Sequence, residues 1–116
     1  AELAIAHGCD ALVVSNHGGR QFDGSPAAIE ALPAISEQVK ARIPVLFDSG
    51  IRGGLDITRA LSLGADFCLL GRAFLYAVAA LGELGGDHAY KLLRADLENN
   101  MIQLGAKTLG DLRTNN

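Results

Sequence analysis

Residues 11–22 read ALVVSNHGGRQF, and this stretch decides how the chain is organised. Its first four residues are apolar and include two valines, which predicts a short buried strand. The strand ends abruptly in Ser15, Asn16 and His17, and two glycines and Arg20 follow. In α/β enzymes the catalytic groups lie at the carboxyl ends of such strands. An imidazole and a guanidinium three residues apart can there take a proton and bind a carboxylate.

Two further apolar runs, Pro44–Asp48 and Ala65–Leu70, predict a second and a third strand. Each strand is followed by residues whose apolar positions recur at helical spacing. The predicted helices run from an N-cap at Ser25 to about Lys40, from about Leu55 to Leu63, from about Ala73 to Leu81, and from a cap at Asp87 through His88 to Leu104. Pro33 is expected to split or kink the first of them.

The order of strand, loop and helix occurs three times, which predicts an α/β fold with a parallel sheet and right-handed crossovers. Three units cannot close a TIM (β/α)8 barrel, which needs eight strands and about 250 residues. Because residues 1–7 resemble the last turns of a helix, we expect residues 1–116 to be the C-terminal β/α units, about three strands, of such a barrel. An open doubly wound sheet is the alternative, and it would require a change of strand order.

Composition excludes several other classes of protein. The net charge of −3 comes without a basic cluster, which argues against nucleic acid as a partner. Cys9 and Cys68 both lie in apolar surroundings and are expected to be reduced, buried thiols, with no metal site. No apolar run approaches the roughly 20 residues that span a bilayer, and no signal peptide is recognisable.

Glycines and arginines follow the second and third strands and suggest a phosphate site. Gly50, Gly53 and Gly54 allow close approach of the backbone to an anion, and the next helix would direct its N–H groups towards it. Gly71 and Arg72 repeat the combination one strand later. Tight turns with solvated arginines are the alternative interpretation. Asp48 can either cap its turn or accept a hydrogen bond from a cofactor hydroxyl.

Three motifs together carry a family resemblance: Ser15-Asn-His-Gly-Gly-Arg-Gln21, Asp48-Ser-Gly-Ile-Arg-Gly53 and Leu70-Gly-Arg72. They resemble the C-terminal motifs of the FMN-dependent α-hydroxy acid dehydrogenases and oxidases, a family that includes lactate, mandelate and glycolate enzymes. The likeness runs in register along almost the whole chain. Residues 71–76 are most similar to the bacterial lactate and mandelate dehydrogenase branch.

The resemblance implies a role for each motif. His17 is implied to be the active-site base and Arg20 to bind the substrate carboxylate. FMN is the implied cofactor, held by these residues: Ser15, Asp48, Ser49, Gly50, Ile51, Arg52, Gly71 and Arg72. The implied reaction oxidises an L-2-hydroxy acid, similar to lactate or mandelate, to the 2-oxo acid. Whether His17 removes the hydroxyl proton or the α-proton is left open.

The resemblance also implies partners and a location. We expect the remaining, N-terminal half of the barrel and a small 2-hydroxy acid as partners, and a homo-oligomer, because the open sheet would otherwise leave apolar edges exposed. A cytoplasmic protein is expected, with peripheral association with the inner membrane as an alternative for the full-length enzyme. Two other functions stay open: a catalytically inert half-barrel that at most binds phosphate or FMN, and another kind of FMN-barrel enzyme.

Overall fold

In the computed structural model, which describes residues 1–114, three short strands form a parallel sheet. The strands are β1 (Leu12–Val14), β2 (Val45–Phe47) and β3 (Phe67–Cys68), and they lie side by side in chain order. Val13 pairs with Leu46, which in turn pairs with Phe67. The predicted α/β fold is therefore confirmed. The sequential order has none of the strand switch that the doubly wound alternative requires.

Six α-helices surround or follow the sheet in the described residues. Each strand is followed by a helix, as the sequence pattern predicts. The helices are α1 (Glu2–Ala6), α2 (Ala28–Val39), α3 (Gly54–Ser62), α4 (Arg72–Leu81), α5 (Gly85–Gln103) and α6 (Asp111–Thr114).

The two faces of the sheet differ in how they are covered. Val14 and Phe47 point to the helical side, where they pack in one apolar cluster with Leu32 of α2. On the opposite face Val13 is 50% exposed and Phe67 is 61% exposed. Side chains of parallel sheets are normally covered on both faces, because helices or a barrel interior enclose them. One face of this sheet is thus apolar and open in the described chain.

The first long helix differs from its prediction at its start and at Pro33. Its N-cap is Ala27 rather than Ser25, and no side chain caps it within the described residues. Ser25 instead closes a turn by donating its N–H to the Phe22 carbonyl, and the following proline disfavours helical geometry at Ser25. Pro33 neither splits nor ends α2, which continues to Val39. Fully buried Leu32 and Val39 fix the helix on the sheet at positions on both sides of the proline.

The longest helix also begins earlier than predicted. It starts at Gly85 with Leu84 in the N-cap position, so Asp87 is not its cap and instead pairs with Lys91. Glycine is required here because a Cβ on residue 85 would lie 2.3 Å from the Ala77 carbonyl oxygen of α4. Close packing of α4 against α5, rather than capping chemistry, therefore determines where α5 begins.

The cysteine prediction is only partly confirmed. Both cysteines are free, but Cys9 is exposed, since it follows the end of α1 rather than lying in a strand. Cys68 lies in β3 and is partly buried, and this burial raises the pKa of its thiol to about 11. The Cys68 thiol is therefore protonated and unreactive at neutral pH.

A second close contact joins α3 to α5. A Cβ on Gly54, the first residue of α3, would lie 2.1 Å from the Leu97 backbone nitrogen. In addition, the Gly54 N–H donates to the carboxylate of Asp96, near the centre of α5. The two helices thus meet backbone to backbone at the point where the second strand's loop enters α3.

We predict that Gly54→Ala lowers the free energy of unfolding by about 3 kcal/mol or more, because backbone atoms have to move to admit the methyl group. The matched control is Gly86→Ala in α5, where an added Cβ meets no described atom within 4 Å. This control should raise stability by about 0.5–1 kcal/mol through helix propensity. Thermal denaturation of both variants measures the difference, and equal midpoints would contradict the close contact.

Candidate active site

The loop after β1 is held in an uncommon conformation. Residues His17–Gly19 form a single 3-10 turn, and His17 has φ of +55°, in the left-handed region that few non-glycine residues adopt. The Asn16 side chain stabilises the turn through two hydrogen bonds. Its Oδ1 accepts from the Gly18 N–H at 2.9 Å, and its Nδ2 donates to the Pro26 carbonyl. Ser15 Oγ accepts from the His17 N–H at 3.1 Å. The imidazole is exposed at the open end of the sheet.

The loop after β2 is tied directly to the His17 turn. Ser49 Oγ accepts from the N–H groups of Asn16, at 3.2 Å, and Gly18, at 3.4 Å. The same hydroxyl donates to Asp48 Oδ1 at 2.7 Å. Two loops more than 30 residues apart in sequence are thus joined through one side chain.

A cavity of about 560 Å³ lies between the three loops. It contains His17 and Arg20 from the first loop and Asp48 from the second. Of the other residues that the sequence predicts for the site, it also contains Ser49, Gly50, Ile51, Arg52, Gly71 and Arg72. Ser15 does not line it, and Ile51 is buried, so only the backbone of residue 51 can face a ligand.

Positive charge dominates this cavity. Three guanidinium groups, those of Arg20, Arg52 and Arg72, line it, against the single carboxylate of Asp48. Within residues 1–114, none of the three arginines forms an ion pair with a carboxylate. The Arg72 guanidinium lies beside the first loop, since a Cβ on Gly18 would be 3.0 Å from its terminal nitrogen. Arginines without an internal counter-ion are suited to bind an anionic ligand.

The N-terminus of α3 does not supply the free N–H groups that the sequence predicts. Asp56 Oδ2 accepts from the N–H groups of Arg52, at 3.0 Å, and Gly53, at 3.3 Å, and the Gly54 N–H donates to Asp96. The expectation that these amides face an anion is therefore wrong, because two carboxylates of the protein already occupy that position.

The N-terminus of α4 is the better anion site. Its N-cap is Gly71, and no side chain of the described residues caps it. A Cβ on Gly71 would meet no described atom within 4 Å, so the space above the helix end is open. Gly50, with φ of +84°, brings the second loop to the same cavity. The uncapped N-terminus of α4, with its helix dipole and backbone N–H groups, and Arg72 thus belong to the same cavity.

Comparison with known proteins identifies this arrangement. The family model described as FMN-dependent dehydrogenase matches residues 1–116. This chain belongs to the FMN-dependent dehydrogenase family. The family's cofactor is FMN, and the residues around Gly71 and Arg72 fit its phosphate, since they leave an open, uncapped helix end beside unpaired guanidinium groups.

Relatives of known name agree with the family assignment. The chain is 49% identical over 112 residues to an L-lactate dehydrogenase of Pseudomonas aeruginosa, and this alignment covers 97% of the chain and 29% of the relative. An L-lactate dehydrogenase of Serratia proteamaculans is 51% identical, with 97% and 30% covered. This member of the FMN-dependent dehydrogenase family therefore spans about a third of the length of the curated relatives it matches.

Solved structures confirm the fold class. A mandelate oxidase variant with a monooxide FMN adduct superimposes with a TM-score of 0.93 at 39% identity, covering 97% of this chain and 36% of that one. A putative lactate oxidase of Pediococcus acidilactici gives a TM-score of 0.94 at 41% identity, with 97% and 32% covered. Both are TIM-barrel FMN oxidases, so the predicted β/α units of a (β/α)8 barrel are confirmed.

Three residues of the site are not found by sequence reasoning. Asn16 lies inside the first motif but has no predicted role, and none is predicted for Asp56 in the helix after the second strand. An acidic residue at the third position of a helix is a capping signal, which would have indicated the contacts of Asp56. No local signal could have indicated Asp96, because its partner Gly54 is 42 residues away.

Among the described residues, no group of three or more His, Cys, Asp or Glu is arranged to bind a metal ion.

We predict that Arg72→Gln in the full-length protein weakens FMN binding about 10- to 100-fold, because a charge-assisted contact to phosphate is worth about 1.5–3 kcal/mol. The matched control is Arg94→Gln, since Arg94 lies on the exposed side of α5 and pairs with Glu98. Titration of the apoprotein with FMN, followed by flavin fluorescence, gives both dissociation constants. Equal values for the two variants would remove Arg72 from the phosphate site.

Proposed function

We propose that this chain is the part of an FMN-dependent 2-hydroxy acid dehydrogenase or oxidase that carries the base, the substrate arginine and the cofactor phosphate site. The observation that carries this proposal is the cavity in which His17 lies together with three arginines that have no ion pair among the described residues. The substrate we propose is a small L-2-hydroxy acid similar to lactate or mandelate, which is oxidised to the 2-oxo acid.

Arg20 and His17 of the first loop act on different groups of the substrate. Arg20 binds the carboxylate through parallel N–H···O hydrogen bonds, and this fixes the position of the neighbouring carbon. His17 accepts a proton from the bound substrate, either from the hydroxyl group or from the α-carbon. Oxidation to the 2-oxo acid removes two electrons and two protons from the substrate. His17 takes one of the two protons, and FMN, when bound, would supply the group that accepts the two electrons together with the second proton.

The second and third loops hold the cofactor in this proposal. Gly71 and Arg72 bind the phosphate at the N-terminus of α4, together with the backbone of residues 50–52. Asp48 accepts hydrogen bonds from the polar chain of the cofactor through the carboxylate oxygen that Ser49 leaves free. Ser15 would contact the flavin in this proposal, although it does not line the cavity that the other residues line.

Further strands complete the site in this proposal. The open apolar face of the sheet, with Val13 and Phe67 exposed, supports partners that cover it, and we propose the remaining half of the barrel for that role. We also propose that the protein self-associates into a homo-oligomer. The proposed location is the cytoplasm, with peripheral association with the inner membrane as the alternative. Within residues 1–114, no helix is both long and apolar enough to span a bilayer.

Purification of the full-length protein tests the proposal against its alternatives. A yellow protein whose flavin is bleached anaerobically by L-lactate or L-mandelate supports it. An inert half-barrel would bind phosphate or FMN without being reduced by any 2-hydroxy acid. Another FMN-barrel enzyme would bind FMN but react with substrates of a different class.

We predict that His17→Gln lowers the rate of flavin reduction by substrate about 10²–10⁴-fold, the usual effect of removing a general base. FMN should stay bound, because the phosphate contacts belong to the other two loops. The control is His88→Gln, on the exposed surface of α5. Anaerobic stopped-flow absorbance measures the rate, and reduction of the His17→Gln protein at the parent rate would exclude His17 as the base.

We predict that Arg20→Lys lowers kcat/KM for lactate about 10- to 100-fold, although the charge is kept, because lysine lacks the planar pair of donors. The neutral analogue lactamide provides the control, since it has no carboxylate for Arg20 to bind. The parent and the variant should oxidise lactamide at similar, low kcat/KM. A variant that loses equally on both compounds would show that Arg20 acts on something other than the carboxylate.

A further inference from the structure

The Ser49 hydroxyl has no hydrogen-bonding capacity left for a ligand. A serine hydroxyl offers one donor and two acceptor positions. The donor is used by Asp48 Oδ1 at 2.7 Å, and the two acceptor positions are used by the N–H groups of Asn16 and Gly18. The side chain therefore serves the protein and not the cofactor, although the motif that contains it is implied to bind FMN.

The two N–H groups that Ser49 accepts lie on either side of His17. The first N–H belongs to the peptide between Ser15 and Asn16, and the second belongs to the peptide between His17 and Gly18, so the backbone before and after His17 is tied to the second loop. The Gly18 N–H is shared with Asn16 Oδ1, and the N–H of His17 itself donates to Ser15 Oγ. His17 itself has φ of +55°, a conformation that needs support from its surroundings in a residue with a side chain. The orientation of the imidazole depends on this backbone geometry.

Ser49 itself adopts an unfavourable conformation to make these contacts. Its φ is +83°, in the left-handed region, where glycine would fit better. If the position required only a tight turn, glycine would be the suitable residue. The presence of a serine in this conformation indicates that the hydroxyl is needed.

We propose that Ser49 is the positioning residue for His17, through which the loop that binds the cofactor sets the orientation of the base. This inference rests on the proposed function. Binding of the cofactor polar chain at Asp48 fixes the carboxylate that orients the Ser49 O–H. The Ser49 oxygen in turn ties the backbone before and after His17 to the second loop. Base and cofactor site are thereby aligned with each other.

Two variants of Ser49 in the full-length protein separate this role from a structural one. Ser49→Ala removes the hydroxyl and keeps the strained backbone, whereas Ser49→Gly removes the hydroxyl and relieves the strain. We expect both to lower the limiting rate of flavin reduction about 10- to 100-fold, while KM for lactate and Kd for FMN change by less than about threefold, as for a misplaced catalytic group.

The control variant is Ser36→Ala. Ser36 is also a half-buried serine that joins two segments, since its Oγ donates to the Gly64 carbonyl at 3.2 Å, but it lies in α2, outside the cavity. Its rate should equal that of the parent. A Ser49→Gly protein as fast as the parent would overturn the proposal, because the turn alone would then matter. Weakened FMN binding at an unchanged limiting rate would also overturn it, because the hydroxyl would then contact the cofactor.

A second measurement does not depend on activity. In histidine-labelled protein the imidazole resonances of His17, assigned with His17→Gln, should shift in both Ser49 variants and stay in place in Ser36→Ala. The resonances of His7 and His88 should stay in place in all variants. If the parent flavin is not reduced by 2-hydroxy acids, the proposed function fails while the NMR result still decides the role of Ser49. Unchanged His17 resonances in both Ser49 variants would overturn that role.

Discussion

Parallel pairing of the three strands places every loop of the candidate site at one edge of the sheet. Val14, Phe47 and Cys68 lie opposite one another, so the chain leaves each strand at nearly the same height. The three loops meet there because parallel strands end on the same side. Burial of Val14 and Phe47 under α2 fixes the pairing, since a shift by one residue would turn these side chains to the open face.

At this edge of the sheet the carboxylates bind backbone N–H groups, whereas the arginines of the cavity have no carboxylate partner within residues 1–114. The carboxylates of Asp56 and Asp96 bind backbone N–H groups at the start of α3, and neither forms an ion pair with Arg52 or Arg72 among the described residues; the ion pair of Asp56 is with Arg59. The guanidinium groups of Arg52 and Arg72 are left for a ligand. The N-terminus of α4, which has no side-chain cap in the described residues, is consequently better suited to attract an anion than the N-terminus of α3.

Features that depend on neighbouring residues could be predicted from the sequence, and features that depend on distant residues could not. The strand at Leu12–Val14 and the loop with His17 follow from a local pattern of apolar residues and glycines. The start of α5 at Gly85 is set by the backbone of α4, which a capping rule at Asp87 does not include. The Ser49 contacts lie 31 and 33 residues along the chain, and no spacing rule reaches them.

The backbone contact between Gly54 and α5 also bears on how such proteins can exchange segments by recombination. A crossover anywhere between residues 54 and 96 would join an α3 from one parent to an α5 from another. The hybrid would keep its closest helix contact only if the parent that supplies α3 has glycine at position 54 and the parent that supplies α5 has a carboxylate of suitable length at position 96. Viable hybrids are therefore expected to inherit the two helices as a single block, and the loop with Gly71 and Arg72, which lies between them in sequence, would be inherited with them.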